Sequence, residues 1–412
     1  MRVLMLAQFY APVVGGEERM TETLAVSLAR SGHEVAVATL RGEGQPALEE
    51  RDGVRVHRIG GTAQRMPFLF SDDGRRHHPP APDPETVLAL RGVLAREQPD
   101  VVHGHNWLAL SYLPLRRGRP SSAYVLSLHD YSLICANKRL MRRGEPCSGP
   151  GPLKCLRCAA DWYGAASGPP VALATMLSGA LQRRAVDLFL PVSREVARRC
   201  GLERGRAPYE IVPNFLIDEP PHSAEAEPAG LPDGEFILYV GDVAADKGVG
   251  TLIAAHERLA PGTQLVLIGR LVEPQLIPSD RAGVTALGVL DHGAVMAARR
   301  RAAVAVVPSI TGETFGLVAL EAMACGVPVI ASNVGGLPEV LGPDGGVLVQ
   351  PGDAEALAGA LARLLAAPEE RERLGVAGAR RAGDQFTAAA VVPRVEAAYE
   401  RALAGRRAAA AH

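Results

Sequence analysis

The chain has 412 residues, too many for one average domain and enough for two. Apolar residues make up 47% of it, which can fill two cores, and no apolar run is long enough for a membrane-spanning helix. The net charge of −1 hides a division: residues 1–213 hold 28 Lys and Arg against 21 Asp and Glu, and the rest hold 16 against 24.

Met1–Gln8 is too short for the apolar part of a secretion signal and reads as a first buried strand, so a cytoplasmic protein is expected. Short apolar strands then alternate with helical stretches. Arg2–Ala7, Glu34–Thr39, Val54–Ile59, Val101–His105, Tyr124–Leu128 and Leu188–Val192 are predicted strands. Glu17–Ser31, Pro84–Glu97 and Val171–Ala185 are predicted helices. This βα alternation predicts an α/β domain with a parallel sheet covered on both faces. Gly61–Pro84, rich in Pro, His and Arg, reads as a long loop on the acceptor side.

Gly15 and Gly16 follow the first strand and open the first helix. The loop is not G-x-G-x-x-G, which disfavours a nicotinamide site; it reads as a strand-to-helix turn or as backbone that approaches a phosphate. His103, His105 and His129 lie at strand ends, where a histidine is either a satisfied structural group or a ligand contact. Asn106 and His105 read as acceptor-side or sheet-end residues, and Asp130 as a group that orients His129 or approaches an acceptor hydroxyl.

Cys135, Cys147, Cys155 and Cys158 cluster in a Gly-, Pro- and Arg-rich insertion at about 135–160, the last two as C-x2-C. They read as a closed four-thiolate structural zinc knuckle, with two disulfides, an iron–sulfur cluster or free thiols as alternatives. Cys200 and Cys325 read as buried and inert. The basic patches Arg116–Arg119, Lys138–Arg139 and Arg142–Arg143 read as solvated loops and helix ends or as an attraction to an anionic acceptor or anionic lipid, hence peripheral membrane contact. No motif for nucleic-acid recognition is present.

Residues 217–233 have no periodicity and read as a linker, after which the pattern restarts. Phe236–Val240, Gln264–Ile268, Val284–Leu287, Val304–Pro308 and Val327–Ala331 are predicted strands. Gly248–Leu259, His292–Arg301 and Leu317–Cys325 are predicted helices, with Ala354–Ala366 and Val391–Ala404 closing the chain. Two such doubly wound domains are expected to face a cleft at the carboxyl ends of their sheets. Lys247, beside Gly248 at a helix start, is a natural phosphate partner, with a solvated helix end as the bland alternative.

The stretch 312–330 carries Glu313 in a Gly-bounded loop and Glu321 on the helix that follows. A helix N-terminus suits a phosphate, and the flanking carboxylates suit hydroxyls. A phosphate with a polyol at each end is a sugar nucleotide.

This spacing and its context, through Ala324-Cys325-Gly326-Val327-Pro328 and Gly335-Gly336-Leu337-Pro338-Glu339, resemble the E-x7-E motif of the retaining glycosyltransferases of family 4. The resemblance implies the GT-B fold, two Rossmann-like domains: residues 1–213 acceptor-binding, 214–385 donor-binding, and 386–412 a helix returning to the first domain. It implies Glu313 on the donor sugar, Glu321 on the ribose, and Thr314, Phe315 and Gly316 at the donor phosphates. Lys247 would neutralise the diphosphate, Gly15 and Gly16 would approach it, and His129 would contact the donor from the first domain. Where the family usually carries an Arg after the strand Phe236–Val240, this chain has Asp242, and Arg270 is the nearest substitute.

The implied activity is retaining transfer of a sugar from a nucleoside diphosphate to an acceptor hydroxyl of a surface glycan, a lipid-linked sugar or a metabolite. No metal is expected at the donor site, because cationic side chains take its place. A sugar-nucleotide epimerase or hydrolase, or a donor-binding partner subunit with little activity, are the competing readings; Asp242 motivates the last.

Overall fold

The computed structural model describes residues 1–13, 15–66, 77–118, 121–217, 227–277 and 282–410. It divides into two units, one of Met1–Arg142, Cys147–Ile217 and Ala388–His412, the other of Arg143–Pro146 and Asp218–Thr387. Parts of the predicted acceptor-side loop (67–76) and of the predicted linker (218–226) lie outside the described residues.

The first unit begins with β1 (Arg2–Leu6), α1 (Gly16–Arg30), β2 (Glu34–Leu40), β3 (Leu48–Arg51), β4 (Val54–Ile59), α2 (Pro84–Glu97), β5 (Val101–Gly104) and β6 (Ala123–Leu128). Two short strands, β7 (Met141–Arg142) and β8 (Glu145–Pro146), lead to the helical hairpin α3 (Pro152–Tyr163) and α4 (Gly168–Ala185). β9 (Leu188–Pro191) and α5 (Arg194–Arg199) follow. The strand order is β3-β4-β2-β1-β5-β6-β9, parallel throughout except for β3, which runs antiparallel to β4. β1, β5 and β6 are buried on both faces, so they read as continuous apolar runs rather than alternating ones. α1 turns Met20, Leu24 and Leu28 inward at four-residue spacing. Asp83 caps α2 by accepting the Thr86 N–H at 3.0 Å, and Pro84 pre-sets the first turn.

Helix α4 has the opposite pattern. It buries Gly168, Ala172, Thr175, Ser178, Gly179 and Gln182. The glycines are required, because a side chain at Gly168 would meet the Ala159 carbonyl oxygen at 2.2 Å and one at Gly179 would meet that of Leu133 at 2.3 Å.

The second unit runs β10 (Phe236–Val240), α6 (Val249–His256), β11 (Gln264–Ile268), β12 (Val284–Gly288), α7 (His292–Arg301), β13 (Val304–Val307), α8 (Leu317–Ala324), β14 (Val329–Ser332), α9 (Leu337–Leu341), β15 (Gly346–Val349), α10 (Ala354–Ala366) and α11 (Pro368–Gln385). Its sheet, ordered β12-β11-β10-β13-β14-β15, is parallel throughout. The core lies between this sheet and α6 and α10, with Ile237, Leu252, Leu265, Val304, Ile330 and Leu361 at its centre. The last helix, α12 (Ala388–Ala410), packs on β6 and α1 of the first unit. Its Tyr399 is fully buried there, and its Glu396 binds His33 at 3.0 Å.

Each sheet has one switch point, where consecutive βα crossovers turn to opposite sides. In the first unit it lies between β1 and β5, in the second between β10 and β13. Ligands of doubly wound sheets bind at the carboxyl ends of strands beside such a point.

Candidate functional site

In the second unit, the loop after β10 is zipped to the loop after β11. Gly241 N–H donates to Ile268 O at 2.8 Å and Val243 N–H to Arg270 O at 2.8 Å. Asp242 and Arg270 therefore face each other, and the guanidinium holds the carboxylate bidentately, Nε to Oδ1 at 3.0 Å and Nη2 to Oδ2 at 2.7 Å. The expected family cation is absent at position 242, but a cation stands next to it, and 69% of the Arg270 side chain remains exposed.

Gly248 ends the turn that carries Lys247. Its φ of +74° and a would-be Cβ 1.8 Å from the Pro308 carbonyl oxygen leave no residue but glycine there. This close approach brings the turn against the segment after β13. Lys247 Nζ lies 3.0 Å from Glu313 Oε2, and Ser309 Oγ donates to the same oxygen at 3.2 Å. Lys247 and Glu313, 66 positions apart in the chain, are thus one charged pair at the β10/β13 switch point.

Gly316, at φ +109°, turns the chain into α8 and offers no side-chain cap to its first N–H groups. The Phe315 side chain is buried edge-on to Phe386, at 5.7 Å between centroids, so only its backbone faces the loop chemistry. One turn into α8, Glu321 is held by Arg299 of α7, Nη2 to Oε2 at 2.6 Å. Arg299 is only 2% exposed and its Nε is buried with no hydrogen-bond partner among the described residues, so the pair is a costly arrangement to build into a core. Arg299 was not singled out by the sequence: an Arg in the run Arg299–Arg301 at a helix end looks solvated. Its partner lies 22 positions on, with a strand between.

At the switch point of the first unit, Asn106 accepts the N–H of Gln8 at 3.0 Å and of Leu108 at 3.3 Å on Oδ1. Its amide is thereby oriented, and Nδ2 donates to Glu17 Oε1 at 2.7 Å. Burial, with the nearby Asp130 carboxylate adding to it, pushes the Glu17 carboxyl up to about 8. Glu17 was also missed, because an acidic residue in a first helical turn reads as an ordinary dipole partner. Gly15 is the residue before α1, and the Glu18 carboxylate lies where a side chain on Gly15 would be, 2.1 Å from its Cβ position; Gly16 is the first residue of the helix.

The three histidines form two separate arrangements. His103 is satisfied on both sides, by Tyr399 OH at 2.8 Å and Ser127 Oγ at 2.8 Å, and is structural. His129 Nδ1 lies 3.2 Å from Asn214 Oδ1, and its Nε2 lies 3.1 Å from His105 Nδ1. Because Asn214 Oδ1 accepts, the proton of His129 sits on Nδ1 and His105 donates to Nε2. His105 Nε2 is then a lone pair, buried without a partner among the described residues. Burial holds all three imidazoles below their ordinary value.

The expected zinc knuckle is not shown. Cys135, Cys147, Cys155 and Cys158 form no disulfide, and among the described residues no three His, Cys, Asp or Glu side chains converge to hold a metal ion. Cys155 and Cys158 lie inside α3 rather than on a knuckle loop, since Gly151-Pro152 starts a helix there. Cys135 donates instead to Asn137 Oδ1 at 3.0 Å, and Asn137 Nδ2 lies 3.8 Å from Cys158 Sγ. Burial raises the Cys135 thiol to about 11, which keeps it protonated.

Residues 15–214 match the family model "Glycosyl transferase 4-like domain", and residues 224–381 match "Glycosyl transferases group 1". Glycogen synthase of Mycobacterium tuberculosis is 30% identical over 99% of this chain and 96% of its own length. Sucrose-phosphate synthase from Thermosynechococcus elongatus superposes with a TM-score of 0.71 at 24% identity, over 98% of this chain and 99% of that one. Anabaena HepE in complex with UDP-glucose gives 0.67 at 16% identity, over 97% and 99%. Among the described residues no helix is long and apolar enough to cross a membrane. With two doubly wound units and both halves matched, the chain belongs to the GT-B glycosyltransferases that join a transferase 4-like domain to a group 1 domain, and it is a transferase enzyme.

Proposed function

We propose that this glycosyltransferase is a retaining enzyme that moves a sugar from a nucleoside diphosphate to an acceptor hydroxyl. The observation that carries the reading is the charged pair Lys247–Glu313 beside the uncapped start of α8, with Glu321 clamped by Arg299 one turn further on. Lys247 neutralises the diphosphate, joined by Arg270 and by the N–H groups around Thr314, Phe315 and Gly316. Glu313 takes the hydroxyls of the donor sugar. Glu321 takes the ribose hydroxyls on the oxygen that Arg299 leaves free.

The first unit receives the acceptor, and its His129 approaches the donor only by releasing Asn214 or His105. In the reaction, the bond from the anomeric carbon to the diphosphate oxygen breaks as the bond to the acceptor oxygen forms on the same face of the sugar. The departing diphosphate oxygen takes the acceptor's proton. No carboxylate nucleophile is needed, and the rate comes from positioning and from stabilising the leaving charge. A cytoplasmic site of action, with peripheral contact at the inner face of a membrane through the basic first unit, completes the reading.

Arg270 holds Asp242 bidentately, so the carboxylate does not stand alone beside the diphosphate, and the weakly active donor-binding subunit remains the competing reading. The test is release of nucleoside diphosphate from UDP-, ADP-, GDP- and TDP-sugars with and without candidate acceptors, with the anomeric configuration of the product read by NMR. Release only with acceptor, and retention at the anomeric carbon, are expected. Release without acceptor would replace transfer with hydrolysis or epimerisation, and an inverted product would overturn the retaining mechanism.

A further inference from the structure

Helix α4 is built inside out. Leu173, Leu177 and Leu181, spaced four apart on one face, are 54%, 59% and 51% exposed, while the buried face is made of small and polar residues. Rolling the helix over cannot bury these leucines, because Gly168 and Gly179 sit against the backbones of Ala159 and Leu133 with no space for a side chain. Arg184 continues the exposed row one turn past Leu181, and α4 contains no acidic residue. The partner helix α3 adds Leu153 at 71% and Trp162 at 53% exposure. The Arg139 guanidinium lies over the Trp162 ring at 5.7 Å. Across both helices four Lys and Arg stand against one Asp.

A row of exposed leucines ending in arginine, on a hairpin that also exposes a tryptophan, matches the division of a bilayer surface into acyl chains and anionic headgroups. We propose that the outer face of the α3–α4 hairpin docks this enzyme on an anionic lipid bilayer, with Leu173, Leu177 and Leu181 entering the interface and Arg184 meeting the headgroups. This deepens the membrane contact proposed above, but its test reads binding and not sugar transfer, so either can fail alone.

The experiment is co-sedimentation of the full chain with vesicles of phosphatidylcholine alone and of phosphatidylcholine mixed equally with phosphatidylglycerol, alongside the triple variant Leu173→Ser, Leu177→Ser, Leu181→Ser and the single variant Arg184→Glu. The wild type is expected to sediment with the mixed vesicles and to be released by salt. The triple variant should bind at least about tenfold more weakly, and Arg184→Glu severalfold more weakly. The substituted side chains are exposed, so an unchanged circular dichroism melt should accompany the loss. Wild type that stays in the supernatant with both vesicles, or a triple variant that sediments as the wild type does, would overturn the proposal. So would a wild-type dimer in solution that the triple variant dissolves while lipid binding is absent; the face would then be a contact between two copies of the chain.

Discussion

At the carboxyl ends of β10 and β13 the ionisable groups are partly exposed and paired as ions: Lys247 with Glu313, Arg270 with Asp242. At the ends of β1, β5 and β6 the neighbouring segments carry the buried His105 and Asn106 and the half-buried His129 and Glu17, and the three titratable groups among them are biased towards their neutral forms. The fold is the same in both places; what differs is that one set of groups is paired as ions and the other is held towards neutral forms. Exposed cations can meet a diphosphate without first being stripped of water, whereas buried neutral groups can bind hydroxyls and move protons but cannot balance two phosphate charges. In the proposed reading, one switch point takes the charged end of the sugar nucleotide and the other the acceptor.

The comparison breaks most visibly at Lys247. Lys247→Ala is expected to lower kcat/KM roughly 10²- to 10³-fold, as loss of one preorganised charge donor does, with an unchanged melting temperature. If activity falls less than about threefold, the diphosphate charge is carried elsewhere.

Arg299→Met sharpens the account of Glu321. An apolar side chain of similar length keeps the core filled and removes the orphaned Nε, but frees the carboxylate. Donor KM should rise about tenfold with kcat little changed, consistent with about 1.5 kcal/mol for a hydrogen bond to a charged group. A fall in kcat without a change in KM would mean that Glu321 acts on the sugar rather than on the nucleotide.

The Asp242–Arg270 pair offers a charge-swap test. Arg270→Asp alone leaves two carboxylates facing each other and should weaken donor binding by about tenfold. Adding Asp242→Arg should restore most of it, because the guanidinium returns to the other side of the same zipped loop. Failure of the double variant to recover would make the pair purely structural.

The smallest effect is a pH signature of the first switch point. Glu17 has its folded pKa raised from about 4.5 to about 8, so the folded protein holds a proton that the unfolded chain has lost, and stability falls as pH rises across that interval. Buried histidines work oppositely: His103, lowered to about 3, and His78, lowered to about 4, make stability fall as pH drops below 6.5. Glu17→Gln should therefore flatten the decline of the melting temperature between pH 5 and 8 by a few degrees and leave the acid side unchanged. An unchanged alkaline slope would mean that Glu17 is already ionised.

The sheets were legible because parallel strands covered on both faces appear as uninterrupted apolar runs. Val54–Ile59, Phe236–Val240 and Gln264–Ile268 were read with the bounds they have in the structure, as were helices Pro84–Glu97 and His292–Arg301. β3 was not, since Leu48-Glu49-Glu50-Arg51 is an antiparallel edge strand with three charged residues and no run to see. α11, Pro368–Gln385, was missed because its exposed face is dense in Glu and Arg.

At the site, Glu313, Glu321 and Lys247 were legible from a contiguous motif and a Lys-Gly turn. Arg299 and Glu17 were not, because their meaning lies in partners 22 and 89 positions away. The zinc knuckle is not shown: Cys155 and Cys158 stand three apart on α3, and among the described residues no three His, Cys, Asp or Glu side chains converge to hold a metal ion.

The central claim is that the β10/β13 switch point binds a sugar nucleotide through groups held by Arg299 and Lys247. Calorimetric titration of the purified chain with UDP-, ADP-, GDP- and TDP-sugars, repeated on Glu321→Ala, tests it most directly. The account expects one nucleotide class to bind and to lose about tenfold or more in affinity in the variant. Binding of none of the four, or equal binding by wild type and variant, would contradict it.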